Sequence, residues 1–84
     1  MPIILLVEDE PLLLETMEEI LNIAGYAVVS AGGPQEALKL LDAATASPQL
    51  IVSDILMPGM DGFQFLAAVR SRSWSHIPFL FVCV

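Results

Sequence analysis

The stretch Ile3-Ile4-Leu5-Leu6-Val7-Glu8-Asp9-Glu10-Pro11 joins an aliphatic run to an abrupt acidic end. Because every residue from Ile3 to Val7 is apolar, the run predicts a strand buried on both faces, as in the interior of a parallel sheet. Pro11 suits the first turn of a helix, where a missing N–H leaves no hydrogen bond unmade. The stretch therefore predicts a strand that passes through an acidic turn directly into a helix.

The rest of the chain repeats this order of strand and helix. Apolar residues at helical spacing predict helices that begin at Pro11, Pro34 and Phe63, and short apolar runs predict further strands at residues 26–30, 50–54 and 77–84. Gly25 is the expected stop of the first helix, and the third helix is expected to end near Ser71. Strands separated by single helices imply right-handed crossovers and a parallel sheet, so the fold class is α/β.

Length and composition exclude several classes of protein. The 84 residues suffice for one domain, taken as residues 1–84, and 56% of them are hydrophobic, which excludes a disordered acidic tail. No apolar run reaches the ~20 residues of a membrane-spanning helix, and no basic segment precedes Ile3 as in a signal peptide. A single cysteine fits a reducing cytoplasm. The net charge of −7 argues against direct nucleic-acid binding, which needs basic residues to neutralise phosphates.

Acidic side chains follow two of the predicted strands. Glu8 and Asp9 come directly after the first strand, and Asp54 ends the third. The carboxyl ends of parallel strands form the usual ligand crevice of such sheets, so we expect the three carboxylates to converge there if the two strands are neighbours. Oxygen ligands of this kind favour Mg²⁺. The alternative is that these acids are simply solvated, which is the better interpretation for one isolated aspartate.

Asp54 offers a second kind of chemistry. A carboxylate can act as a nucleophile and form an aspartyl phosphate, with a divalent cation neutralising the approaching phosphoryl oxygens. The turn signals Pro58-Gly59 and Gly62 in the following loop favour a preformed site. Asp61 is expected to cap the third helix by accepting a hydrogen bond from the backbone N–H of Phe63 or Gln64.

These residues carry a resemblance to a known family. Leu6-Val7-Glu8-Asp9-Glu10, Asp54-Ile55-Leu56-Met57-Pro58-Gly59-Met60-Asp61-Gly62 and Ile77-Pro78-Phe79-Leu80-Phe81-Val82 resemble the receiver domains of two-component response regulators. The resemblance spans Ile3 to Val84. It implies a flavodoxin-like, CheY-like three-layer αβα fold whose four strands lie in the order 2-1-3-4.

The resemblance also implies a function. Asp54 would accept a phosphoryl group from a phosphohistidine on a sensor histidine kinase or phosphotransfer protein, and the domain would slowly hydrolyse its own phosphoaspartate. Asp9, Asp54 and the backbone carbonyl of Leu56 would bind Mg²⁺ directly, and Glu8 would act through water. Together with the composition described above, this predicts a cytoplasmic protein with no direct contact to nucleic acid or membrane.

The sequence departs from the family at its end. Aligned from Pro78, Cys83 falls where the family has a Thr or Ser that hydrogen-bonds the phosphoryl group, and a thiol is a weaker donor. A chain that stops at Val84 is expected to be a truncated receiver without the family's phosphate-binding lysine. Its fourth strand would then form an apolar sheet edge, which predicts a homodimer through that strand or pairing with a remaining part of a longer protein.

The sequence leaves two alternative functions open. A degenerate pseudo-receiver would serve as an interaction or dimerisation module without phosphorylation. A small enzyme of the haloacid-dehalogenase type also uses an aspartate nucleophile and Mg²⁺. That class needs an Asp-x-Asp pair after the first strand, where this chain has Glu8-Asp9-Glu10.

Overall fold

The predicted order of strands and helices is confirmed. The computed structural model describes residues 2–43, 48–72 and 76–82. In chain order its elements are β1 (Ile3–Val7), α1 (Pro11–Ile23), β2 (Ala27–Ala31), α2 (Pro34–Ala43), β3 (Leu50–Asp54), α3 (Gly62–Arg70) and β4 (Phe79–Val82). The predicted Gly25 stop of α1 is also confirmed, because Gly25 has φ 98°, a left-handed value that glycine tolerates.

Some boundaries differ from the predictions for local reasons. β2 begins at Ala27 because the N–H of Tyr26 still donates to the Leu21 carbonyl at the end of α1, at 3.1 Å. β4 begins at Phe79 rather than Ile77, and Pro78 before it has no N–H to donate to the ladder. The predicted end of this strand, Cys83-Val84, lies outside the described residues.

The strands form one parallel sheet in the expected order β2-β1-β3-β4. Val7 pairs with Ser53, and Asp54 pairs with Val82. The central strand β1 is buried along nearly its whole length, as its continuous apolar run predicts. Because β1 and β3 are neighbours, their carboxyl ends open at the same place on the sheet edge.

Helices cover the two faces of the sheet unequally. On one face α2 and α3 enclose the larger cluster, whose ten buried residues include Leu5, Val7 and Phe65. On the other face α1 alone covers a smaller cluster with three buried residues, Ile4, Leu6 and Val52. The alternation along β1 between these clusters is what a strand with two buried faces requires.

Helical spacing predicts that α1 turns Met17, Ile20 and Leu21 toward the core and Glu18 toward water, and this is correct only in part. Leu14, Met17 and Leu21 pack on the sheet, but Ile20 is 60% exposed. Glu18 was expected to face water and instead accepts a hydrogen bond from the Ser30 hydroxyl on β2. Beside α1 lies an open apolar groove of about 410 Å³, whose lining includes Ile20, Leu80 and Val82. None of the helices in the described part of the chain is long and apolar enough to cross a membrane.

Candidate phosphoacceptor and metal site

Three carboxylates meet at the carboxyl ends of β1 and β3. One oxygen from each of Glu8, Asp9 and Asp54 lies within 4.8 Å of the others. Glu8 is 3% exposed, Asp54 is half-buried and Asp9 is exposed. The convergence predicted from the sequence is therefore present, and it follows from the pairing of β1 with β3.

Backbone hydrogen bonds fix the two strand ends that carry these acids. The N–H of Glu8 donates to the Ala31 carbonyl at the end of β2, at 3.1 Å. Asp54 Oδ1 accepts the N–H of Ile55 at 2.8 Å, which orients the carboxylate at the start of the loop. The loop then closes back on itself, because the N–H of Gly62 donates to the Ile55 carbonyl at 2.7 Å.

Gly62 allows α3 to begin directly against the end of β3. A Cβ at this position would lie 2.6 Å from the Asp54 carbonyl oxygen and 2.8 Å from Cε1 of Phe81. Neither distance is sterically acceptable, so only glycine fits without a backbone shift. The sequence indicated a turn at Gly62 but gave no signal of this close approach, which depends on the neighbouring strand β4.

Asp61 caps α3 as predicted. Its Oδ1 accepts the N–H of Gln64 at 2.8 Å, and the Gln64 side chain accepts the Asp61 N–H at 2.9 Å. This reciprocal capping box satisfies two backbone donors at the start of the helix. Asp61 is therefore engaged in holding the loop that follows Asp54. The N-cap of α1, Glu10, was not predicted, and its side chain accepts the Leu12 N–H at 3.4 Å.

Crowding of negative charge changes the acidity of Glu8. Burial raises the pKa of Glu8 from its ordinary value of 4.5 to about 7, assisted by a hydrogen bond to Asp54 and by the charges of Asp54 and Asp9. A hydrogen bond from the Glu10 backbone opposes the rise. The Glu8 carboxyl is therefore less acidic than an ordinary glutamate, and a bound cation would favour its charged form.

The residues present fit a divalent cation of the hard, oxygen-preferring type. Among the described residues, Glu8 Oε2 is buried and has no hydrogen-bond partner, although it is a carboxylate oxygen. Such an orphaned acceptor beside two further carboxylates is the arrangement that Mg²⁺ satisfies. The donor set contains neither nitrogen nor sulfur ligands, which disfavours zinc.

The other predicted site residues are less constrained by the structure. Leu56 lies in the loop after Asp54 with its side chain 78% exposed, and metal binding by its carbonyl stays a prediction. Cys83, the predicted switch position, lies outside the described residues. Of the basic residues, Lys39 is exposed on α2, while Arg70 ends α3 and donates to the Ile77 carbonyl at the other end of the sheet.

The chain matches one protein family over nearly its whole length. The family model of the response regulator receiver domain matches residues 4–84. The Pseudomonas aeruginosa response regulator protein FleR is 39% identical over 77 residues, which is 92% of this chain and 16% of that protein. The chain thus spans a small part of this curated relative.

Solved structures agree with the family comparison. Chemotaxis protein CheY4 of Vibrio cholerae superposes with a TM-score of 0.89 at 35% identity, covering 96% of this chain and 67% of that one. Response regulator TrrA of Thermotoga maritima, solved in complex with Mg(2+)-BeF, gives 0.88 at 30% identity, covering 99% of this chain and 70% of that one. These neighbours confirm the flavodoxin-like, CheY-like fold. The chain belongs to the response regulator receiver domain family of two-component signalling proteins.

Proposed function

We propose that this domain accepts a phosphoryl group on Asp54 with the help of Mg²⁺. The donor would be a phosphohistidine on a sensor histidine kinase or a phosphotransfer protein. The observation that carries the proposal is the meeting of Glu8, Asp9 and Asp54 within 4.8 Å at the ends of two neighbouring strands. A receiver domain is a signalling module, so the chemistry is limited to gaining and losing this group.

Asp54 is suited to act as the nucleophile. Its Oδ1 accepts the Ile55 N–H, which orients the carboxylate, and one of its oxygens would attack the phosphorus atom. As the new O–P bond forms, the P–N bond to the donor histidine breaks and the electron pair returns to the imidazole ring. The product is an aspartyl phosphate, which water would later hydrolyse.

The remaining acids would hold the cation. Asp9, Asp54 and the Leu56 carbonyl would coordinate Mg²⁺ directly, and Glu8 would contact it through water. When bound, Mg²⁺ supplies positive charge that offsets the repulsion between the carboxylates and the phosphoryl oxygens. The proposal is supported by TrrA, a structural neighbour solved with Mg(2+)-BeF.

The proposal includes the setting of the domain. We propose that residues 1–84 belong to one receiver domain that is located in the cytoplasm and whose partners are proteins rather than nucleic acid. The net charge of −7 supports the last point. A homodimer through β4 is also included, and the apolar side chains of this strand support it.

One observation favours a second candidate, the pseudo-receiver. None of the three Lys and Arg residues, all of which the structure describes, is placed at the acidic cluster. A charge-assisted contact to the phosphoryl group from these side chains is therefore absent. A domain of this kind would bind partners without being phosphorylated.

Beryllofluoride, which mimics a phosphoryl group on a carboxylate, separates the two candidates. We expect Mg²⁺ with beryllofluoride to shift the backbone amide NMR signals of residues 54–62 in the wild-type chain. Asp54→Asn should lose this response and keep the spectrum of a folded domain. A wild-type chain that shows no shift would favour the pseudo-receiver, and an unchanged response in Asp54→Asn would refute the assignment of the nucleophile.

A further inference from the structure

Asp61 is the only aspartate or asparagine of the chain that is followed directly by a glycine. Bonds between aspartate and glycine are chemically labile, because glycine has no Cβ that would hinder attack by its backbone nitrogen on the aspartate Cγ. The attack forms a C–N bond and expels one water, which leaves a five-membered succinimide ring. Water then reopens the ring at either carbonyl and gives back aspartate or yields isoaspartate.

The structure gives each of the two residues a reason to be where it is. The Asp61 side chain caps α3 by accepting the Gln64 N–H at 2.8 Å. Gly62 is required because a Cβ there would lie 2.6 Å from the Asp54 carbonyl oxygen. The labile pair is therefore a by-product of an acidic cap that stands directly before an obligatory glycine.

The folded arrangement opposes ring closure in three ways. The Gly62 N–H donates to the Ile55 carbonyl at 2.7 Å, and the Asp61 carboxylate is held by the Gln64 N–H. The ring also needs the Asp61 Cβ and the Gly62 nitrogen nearly eclipsed about the Cα–C bond, and the extended ψ of 172° at Asp61 keeps them apart. Ring closure therefore requires the peptide between Asp61 and Gly62 to rotate, which breaks the hydrogen bond to Ile55.

The capping box holds this peptide in place from both sides. The Gln64 side chain accepts the Asp61 N–H at 2.9 Å, while the Asp61 side chain accepts the Gln64 N–H. Both side chains must let go before the first turn of α3 opens. The rate of any reaction at this bond should then follow the population of the open turn, as for other local unfolding events.

We propose that Asp61–Gly62 is a latent isomerisation site that the capping box keeps unreactive, and that opening of the first turn of α3 converts Asp61 to isoaspartate. In isoaspartate the main chain runs through Cβ and Cγ, so the loop behind Asp54 becomes one carbon longer. The remaining carboxylate is attached directly to Cα and no longer reaches the Gln64 N–H. Opening of the turn is thus recorded as a permanent change beside the acidic site. The inference does not depend on phosphorylation of Asp54.

Ageing of the intact chain at physiological temperature, in buffer with EDTA, tests the proposal. Isoaspartate at position 61 is measured by peptide mapping with an endoproteinase that cleaves before aspartate but not before isoaspartate. We expect the folded wild type to isomerise at least about tenfold more slowly than the same chain in urea. Asp42, which is followed by Ala43, is the internal control and should isomerise far more slowly than Asp61 in urea.

Variants at Gln64 test the part that the capping box plays. We expect Gln64→Ala to isomerise about threefold faster than the folded wild type, because the turn opens more often. Gln64→Glu keeps an acceptor for the Asp61 N–H and should age like the wild type. In urea the three chains should react at one rate, since their capping boxes are absent there. Circular dichroism of each variant reports whether it is folded under the ageing conditions.

Three results would overturn the proposal. Absence of isoaspartate at position 61 in urea would show that the bond is not labile. Equal rates for the folded and the urea-treated wild type would show that the fold gives no protection. A folded Gln64→Ala that ages no faster than Gln64→Glu would remove the capping box as the cause. Because these experiments contain no Mg²⁺ and no phosphoryl donor, their outcome is separate from the test of Asp54.

Discussion

The Glu8 carboxyl makes the stability of the domain depend on pH. Its pKa rises from 4.5 to about 7 on folding, so between these values the folded chain holds more protons than the unfolded chain. The stabilisation that the Glu8 carboxyl contributes is fully present below pH 4.5 and is lost as the pH rises through about 7. We expect the free energy of unfolding to fall by about 1–3 kcal/mol across this interval in the absence of Mg²⁺.

Urea unfolding at pH 5, 6 and 7.5 in EDTA measures this effect, with the wild type compared with Glu8→Gln. The variant should lack the Glu8 contribution and show a flatter dependence on pH. Glu19→Gln, at an exposed position on α1, is the control and should follow the wild type. Equal pH dependence in the wild type and Glu8→Gln would contradict the role given to Glu8.

Gly62 tests the close packing between the acidic site and β4. A helical glycine replaced by alanine usually gains up to about 1 kcal/mol of stability, but here the new Cβ would meet the Asp54 carbonyl and the Phe81 ring. We expect Gly62→Ala to lose about 1–3 kcal/mol in chemical denaturation, as overpacking does. Gly33→Ala, with nothing within 4 Å of its Cβ, should change stability little. A Gly62→Ala variant as stable as Gly33→Ala would show that the helix can move away without cost.

At the scale of secondary-structure elements, the start of α3 positions the loop that follows Asp54. Asp61→Ala removes the cap and leaves the Gln64 N–H without its partner, so we expect a loss of about 1 kcal/mol. Asp61→Asn keeps a side-chain oxygen at the same position, so its free energy of unfolding should differ from that of the wild type by only a few tenths of a kcal/mol. Thermal unfolding of the three chains measures both effects. A full loss of stability in Asp61→Asn would show that the charge of Asp61, and not the cap, matters.

The order of the elements could be predicted from the sequence, whereas some details of their faces could not. The all-apolar run of β1 and the alternation of strands with helices are local patterns, and they were enough to predict a parallel sheet. The environment of Glu18 and Ile20 depends on tertiary partners. Ser30 on β2 donates to Glu18, and Ile20 faces a groove beside β4, although helical spacing alone had assigned Glu18 to solvent and Ile20 to the core.

At the scale of the whole molecule, the candidate site could be predicted because topology brings it together. Acidic residues after neighbouring parallel strands must converge, and the family resemblance supplied the strand order that the pattern alone left open. The unequal cover of the two sheet faces had no comparably clear signal. The cluster that α2 and α3 form with the sheet has ten buried residues, whereas the cluster beside α1 has three, because two of the three crossover helices pass on the same side of the sheet.

The central claim is that Asp54 is a phosphoacceptor, and the most direct measurement is the intact mass of the chain after incubation with acetyl phosphate and Mg²⁺. We predict that the wild type gains the mass of one phosphoryl group, that EDTA prevents the gain, and that Asp54→Asn, which removes the nucleophile, shows none. Glu19→Gln should be modified like the wild type, because Glu19 is exposed on α1. An unmodified wild-type chain, or equal modification of Asp54→Asn, would contradict the claim.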